Sequence, residues 1–122
     1  MDQEMMRQAI AEAQKALVAH DVPIGAVVVI NGEIVGRGYN TRERDHDPSG
    51  HAEINAMRDA AQTLGHWQLD GATLYVTHEP CPMCAGAMLL ARVATVVYGA
   101  SEPTYGVCGS QMNLLQFPGV PN

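Results

Sequence analysis

Four residues of this chain have types and spacings that could do chemistry: His51, Glu53, Cys81 and Cys84. They fall in two runs, His51-Ala52-Glu53 and Pro80-Cys81-Pro82-Met83-Cys84. Zinc takes imidazole and thiolate ligands in tetrahedral geometry, and catalytic zinc sites use three protein ligands and leave a fourth position for water. His51, Cys81 and Cys84 are three such ligands. The two cysteines lie three apart at the expected mouth of a helix, where free N–H groups and the positive end of the dipole favour thiolate over thiol. Pro80 and Pro82 stiffen that mouth. His51 is expected to open the preceding helix, so that two helix N-termini aim their ligands at one ion. Glu53 then falls in the first turn, within reach of a bound water. A metal lowers the pKa of its water toward neutrality, and a nearby carboxylate takes the proton. Glu53 is therefore read as a base and not as a fourth ligand.

Other readings of the same residues compete. A lone C-x-x-C is also a redox pair, but no thioredoxin-like pattern leads into this one. Cys108 would complete a closed structural zinc site, which gives no reason for Glu53 and the two prolines. His51 alone would pass for a helix-capping histidine.

The elements that must position these residues follow from periodicity. Residues 2 to 20 carry apolar positions at Met6, Ile10, Ala13 and Leu17, one stripe of an amphipathic helix. Ile24 to Ile30 is apolar and β-branched and reads as a strand buried on both faces. Asn31-Gly32 is a hairpin signal, with Glu33 to Tyr39 as the returning strand. Residues 40 to 50 read as a polar loop. Ala52 to Leu64 is helical, with Ile54, Met57, Ala61 and Leu64 on one face and Gly65 as its cap. Ala72 to Thr77 is a short strand, Pro82 to Ala91 a helix with proline in its first turn, and Val93 to Tyr98 another buried strand. A Gly-rich loop over 99 to 109 leads to a short helix near Ser110 to Leu115, and the tail from Phe117 is irregular. A hairpin followed by alternating strands and helices predicts an α/β fold, a three-layer α/β/α sandwich around a mixed central sheet.

Composition bounds the rest. The 122 residues suit one domain spanning 1 to 122, and 47% hydrophobic content is ordinary for a globular protein. Three cysteines with one close pair fit metal-binding thiolates in a reducing cytoplasm better than a disulfide framework. The acidic opening Met1-Asp2-Gln3-Glu4 is not a secretory signal, and the longest apolar run, Val22 to Ile30, is about half a membrane span. The formal net charge of −6 lacks the basic balance usual in nucleic-acid binders.

The pattern H-x-E … P-C-x-x-C is the signature of zinc-dependent nucleobase deaminases. From Val22 to about Gln116 the chain resembles the bacterial tRNA adenosine deaminases of the cytidine-deaminase superfamily. The matching runs are Val22-Pro-Ile-Gly-Ala-Val, Gly38-Tyr-Asn, His46-Asp-Pro-Ser-Gly-His-Ala-Glu, Leu74-Tyr-Val-Thr, Glu79-Pro-Cys-Pro-Met-Cys-Ala-Gly-Ala-Met, Val97-Tyr-Gly-Ala and Gly109-Ser-Gln-Met-Asn-Leu-Leu. The resemblance implies a cytidine deaminase-like fold and zinc-assisted attack of water on C6 of adenine, with Glu53 shuttling protons. It implies that Asn40 hydrogen-bonds the target base, that Val22, Pro23 and Ile24 line its apolar side, and that the backbone at Ala52 meets its ring-nitrogen edge. It implies a homodimer acting on a tRNA anticodon stem-loop, with inosine as product. Two departures stand out. The loop Ser101-Glu102-Pro103-Thr104-Tyr105 keeps a carboxylate for substrate contact at Glu102 but lacks the lysine common in the family. The chain also stops at Asn122, where the family continues with a strand and a basic helix, which would leave Val93–Tyr98 at a sheet edge.

Several residues admit two readings. Arg37, Arg42, Arg44 and His46 suit phosphates beside a flipped base, or a solvated loop interleaved with Glu43, Asp45 and Asp47. His78, apolar in the family, is expected at the surface, with a place at the substrate mouth as the alternative. Trp67 is expected as a core lid, Met83 and Met88 as core, and Cys108 as a small buried or loop thiol. The alternative activity is deamination of a free base or nucleoside such as guanine or cytosine. A catalytically silent zinc module fits less well, because it has no need of Glu53.

Overall fold

The computed structural model describes residues 2–116. Helix α1 (Asp2–Val18) leads into a hairpin of β1 (Gly25–Ile30) and β2 (Glu33–Tyr39), then a one-turn helix α2 (Arg42–Asp45) and helix α3 (Ala52–Leu64). Strand β3 (Thr73–His78), helix α4 (Pro82–Leu90), strand β4 (Thr95–Ala100) and a 3-10 turn (Leu114–Gln116) complete the order. The sheet runs β2-β1-β3-β4. Its first two pairings are antiparallel and β3 pairs with β4 in parallel, which makes the sheet mixed, as expected.

Strand alternation divides the core between the two faces of this sheet. Ala26, Val28, Leu74 and Val76 pack with Ala56, Met57, Ala60 and Met88 of α3 and α4. Val27, Val29 and Tyr75 point the other way and pack with Met5 and Ala9 of α1. Both faces of β1 are thus covered, which is why the strand reads as a continuous apolar run. The result is three layers, with α1 on one side and α3 and α4 on the other.

The helices sit on the sheet through small residues. On α1 the buried positions are Met5, Ala9, Glu12, Ala13 and Ala16. The expected stripe is off by one position, since Ile10 and Leu17 are exposed. A similar small face on α3, with Ala52, Ala56 and Ala60 fully buried, lies against β2. There a Cβ on Gly38 would come within 2.4 Å of the Ala56 nitrogen and 2.6 Å of the Ala52 oxygen. That close approach places the start of α3, and with it His51 and Glu53, against the end of β2 and Asn40.

Other elements depart from the sequence reading. Residues 40 to 50 are not all loop, because α2 forms within them. Its first free N–H groups are satisfied from a distance: Asp21 Oδ2 accepts Glu43 N (2.9 Å) and Arg44 N (3.1 Å). Strand β4 begins two residues later than expected, because Val93 N is taken by Met88 O and Ala94 N by Ala72 O before pairing starts. It is half-exposed and lies at an edge of the sheet among the described residues, not buried. The helix expected near Ser110 to Leu115 is only the short 3-10 turn; the tail from Phe117 lies outside the described residues. Trp67 is 57% exposed with the Arg92 guanidinium 5.5 Å from its ring centre, so it is no core lid. Met88 is buried as expected, whereas Met83 is exposed.

Candidate deaminase site

His51 is the N-cap of α3 and Cys81 the N-cap of α4, both in extended backbone conformation and neither using its side chain to cap. Their side chains are therefore free to meet. His51 Nδ1 lies 3.5 Å from Cys81 Sγ and 3.5 Å from Cys84 Sγ. The three ligand atoms lie within 4.8 Å of one another. Tetrahedral zinc with its usual bond lengths requires an N···S separation of about 3.5 Å, so the group fits that ion. Cys108 does not join this group. It is buried, and its backbone N–H donates to Glu79 Oε2 at 3.0 Å. The hydrogen bonds of the Cys84 thiol and then of His51 hold Cys81 down at about 4, while Cys81 and burial push Cys84 up. His51 is pushed up, chiefly by the Cys81 sulfur.

Glu53 is 4% exposed and lies inside the first turn of α3. Burial lifts its carboxyl to about 7. It lines the same cleft as His51, Cys81, Asn40, Ala52, Val22 and Ile24. Asn40 is buried and lines the cleft, and its Oδ1 accepts Arg42 N at 2.9 Å, which leaves its amide N–H groups as donors. Val22 and Ile24 give the cleft its apolar wall. Pro23 is exposed and does not line it. Glu102 stands just behind, bonded through Oε1 to His78 Nε2 at 2.7 Å. His78 itself lines the cleft, which corrects its expected place on the surface.

The basic residues of the 37–46 region separate. Arg42 lines the cleft. Arg37 is turned to Glu12 and Gln8, and Arg44 to Asp45 and the Tyr39 hydroxyl. His46 is exposed in a left-handed conformation that ends α2.

Three residues had no role in the sequence reading. Tyr105 lines the cleft. Asp21 is buried and anchors α2. Glu79 is buried, lines the cleft and accepts four hydrogen bonds from residues 102 to 110. Although burial pushes its carboxyl up, those donors hold it down at about 2. The one sequence signal was an acidic residue between a strand end and Pro80-Cys81, which cannot pay for burial without donors from elsewhere.

A family model, MafB19-like deaminase, matches residues 1–118. A tRNA-specific adenosine deaminase of Bacillus subtilis is 55% identical over 115 residues, covering 94% of this chain and 71% of that protein. A solved structure from work on A-to-I editing by tRNA:A34 deaminases at the wobble position superposes with a TM-score of 0.92 at 39% identity, over 98% of this chain and 95% of that one. The guanine deaminase of Bacillus subtilis superposes with a TM-score of 0.77 at 40% identity, over 81% and 64%. With its fold, its three convergent ligands and its buried glutamate, the chain belongs to the MafB19-like deaminase family.

Proposed function

We propose that this protein hydrolyses the 6-amino group of adenosine at the wobble position of a tRNA anticodon, giving inosine and ammonia. The observation that carries the reaction type is the convergence of His51, Cys81 and Cys84 on one point, with the buried carboxylate of Glu53 in the same cleft. The three ligands would hold zinc, which acts as a Lewis acid that makes water nucleophilic near neutral pH. Glu53 takes the proton from the attacking water and returns it to the departing amine nitrogen as the C6–N bond breaks. Asn40 donates its amide N–H to a ring acceptor, Val22 and Ile24 cover the base's apolar face, and the Ala52 backbone borders its edge.

The choice of tRNA is supported by the 55% identical tRNA-specific relative and by the superposition at 0.92, against 0.77 for the guanine deaminase. Deamination of a free base or nucleoside, such as guanine or cytosine, is the second reading, favoured by the net charge of −6. The proposal also includes action in the cytoplasm as a homodimer. Among the described residues no helix is long and apolar enough to cross a membrane, and the exposed Met83 and Leu90 of α4 offer apolar surface to a second copy.

A substrate panel tests the proposal: an anticodon stem-loop bearing a wobble adenosine, free adenosine, adenine, guanine and cytosine. The stem-loop is expected to react fastest, with a rate that falls as salt rises because phosphate contacts release counterions. Turnover of guanine without turnover of the stem-loop decides for the second reading. Metal analysis of the same preparation is expected to give about one zinc per chain.

A further inference from the structure

Glu79 ends the approach to Pro80 and Cys81, yet its carboxylate faces a different part of the chain. Oε1 accepts the Glu102 N–H at 3.0 Å and the Ser110 hydroxyl. Oε2 accepts the Cys108 N–H and the Ser110 N–H, both at 3.0 Å. All these donors belong to the segment after β4, which has no helix or strand to hold it before the 3-10 turn at Leu114. Its other bonds are mostly short-range within the segment: Gly106 N to Glu102 O, Gln111 N to Gly106 O, Gly109 N to Met112 O and Leu114 N to Val107 O; Val107 N to Pro80 O, the Tyr98 hydroxyl to Cys108 O and the His78–Glu102 pair tie it to the rest of the fold. The fit around the carboxylate is tight. A Cβ on Gly106 would lie 2.5 Å from both Glu79 Oε2 and Glu79 Cδ. The segment so held brings Tyr105 to the cleft and Glu102 to His78, whereas the metal ligands are held by α3 and α4.

We propose that Glu79 is a positioning residue for substrate binding: its buried carboxylate clamps residues 102 to 110 into a fixed wall of the cleft, independently of the metal ligands. The wall's role in binding rests on the deaminase reading above; the clamp itself does not. An ionised carboxylate is suited to this task because it only accepts, and four donors converge on it. Glutamine keeps the shape but replaces one oxygen with an NH2 that opposes N–H groups already pointing at it.

The test compares the full chain with Glu79→Gln and Ser110→Ala. On whichever substrate the unmodified protein deaminates, Glu79→Gln is expected to raise KM about tenfold, with kcat within about twofold and zinc content unchanged, as loss of hydrogen bonds to a charged acceptor predicts. Ser110→Ala, which removes only the hydroxyl donor, is expected to raise KM about threefold. Hydrogen exchange gives a readout that needs no substrate. The amides of Glu102, Cys108 and Ser110 are expected to exchange at least about tenfold faster in Glu79→Gln, while those of α3 do not change. If Glu79→Gln fails to fold, the Ser110→Ala amides and KM decide. An unchanged KM, a matching loss of kcat, or loss of zinc overturns the proposal. Unchanged exchange at the three amides overturns it even if the deaminase reading stands, and failure of the substrate panel with faster exchange leaves the clamp standing.

Discussion

His78, which lines the cleft with His51 and Cys81, places its Nε2 2.7 Å from Glu102 Oε1, so this part of the lining is an imidazole held by a carboxylate. The other oxygen, Oε2, accepts the Thr104 N–H at 3.1 Å. The imidazole first, and then that backbone donor, hold the Glu102 carboxyl below its usual range. In His78→Leu the first cause is gone. The Glu102 carboxyl is expected to titrate at higher pH, because a hydrogen bond that favours the charged form has been removed. Carbon-detected NMR of the side-chain carboxyl checks this; an unmoved midpoint refutes the pairing. The same variant is expected to alter KM by a few-fold, on the order of three to ten, with kcat nearly unchanged, because the reacting groups are elsewhere.

Glu53→Gln separates binding of metal from chemistry. The side chain is buried in the cleft and is not one of the three convergent ligands. Removing its proton-transfer capacity is expected to lower kcat by about 10²- to 10⁴-fold, with about one zinc per chain retained. Atomic absorption and a single-turnover assay measure the two quantities on one sample. A variant that loses its zinc together with its activity would make Glu53 a ligand and not a base.

What could be read from the sequence was the chemistry and the order of elements. The convergence of His51, Cys81 and Cys84 was legible because metal sites draw on few residue types at short spacings. The boundaries of α3 were legible because Gly65 ends it in a left-handed conformation, with its N–H on Ala61 O. The face of α1 was not. Hydrophobic periodicity favours large side chains, so Ile10 and Leu17 outweighed Ala9 and Ala16, yet the alanines are the residues that let the helix touch the sheet. α2 was hidden for another reason. Its stabilising acceptor, Asp21, lies 22 residues before Glu43, beyond any local pattern. The clamp at Glu79 was hidden in the same way, since its donors come 23 to 31 residues later.

Packing predicts opposite outcomes at two glycines, one where β2 meets α3 and one inside α4. At Gly38 an added Cβ would meet the backbone of Ala56 and Ala52 at 2.4 and 2.6 Å, so the helix must move off the sheet. Gly38→Ala is expected to destabilise the fold by about 1–3 kcal/mol, as for overpacking. At Gly86, inside α4, an added Cβ meets nothing within 4 Å. There alanine is expected to stabilise by about 0.5–1 kcal/mol through helix propensity. Urea midpoints of the two variants measure both. Equal shifts in one direction would contradict the packing described for Gly38.

Asp21 sets the acid limit of the 40–50 region. Its Oδ1 accepts Val22 N at 2.9 Å, and its Oδ2 accepts the two N–H groups that open α2. Burial pushes its carboxyl up, but the backbone donors of Arg44, Val22 and Glu43 outweigh it, and the carboxyl lies below its usual range. A folded pKa below the unfolded value of about 3.9 means that the charged form stabilises the fold. That contribution is complete above the unfolded pKa and is lost as pH falls through the folded one. Asp21→Asn removes it. The variant is therefore expected to be less stable than the parent at pH 7, by about 1–3 kcal/mol as for lost hydrogen bonds to a charged acceptor. The gap is expected to narrow as pH falls below about 4, where the parent loses the same charge. The acid limb is not expected to vanish in the variant, since the donors that hold Glu79 down at about 2 lie outside the changed residue. Denaturant unfolding at pH 7 and pH 3 measures the gap. A gap of equal size at both would show that Asp21 acts through its shape and not its charge. A narrowing gap would place the stability of α2, and with it the position of Arg42 in the cleft, on one buried carboxylate.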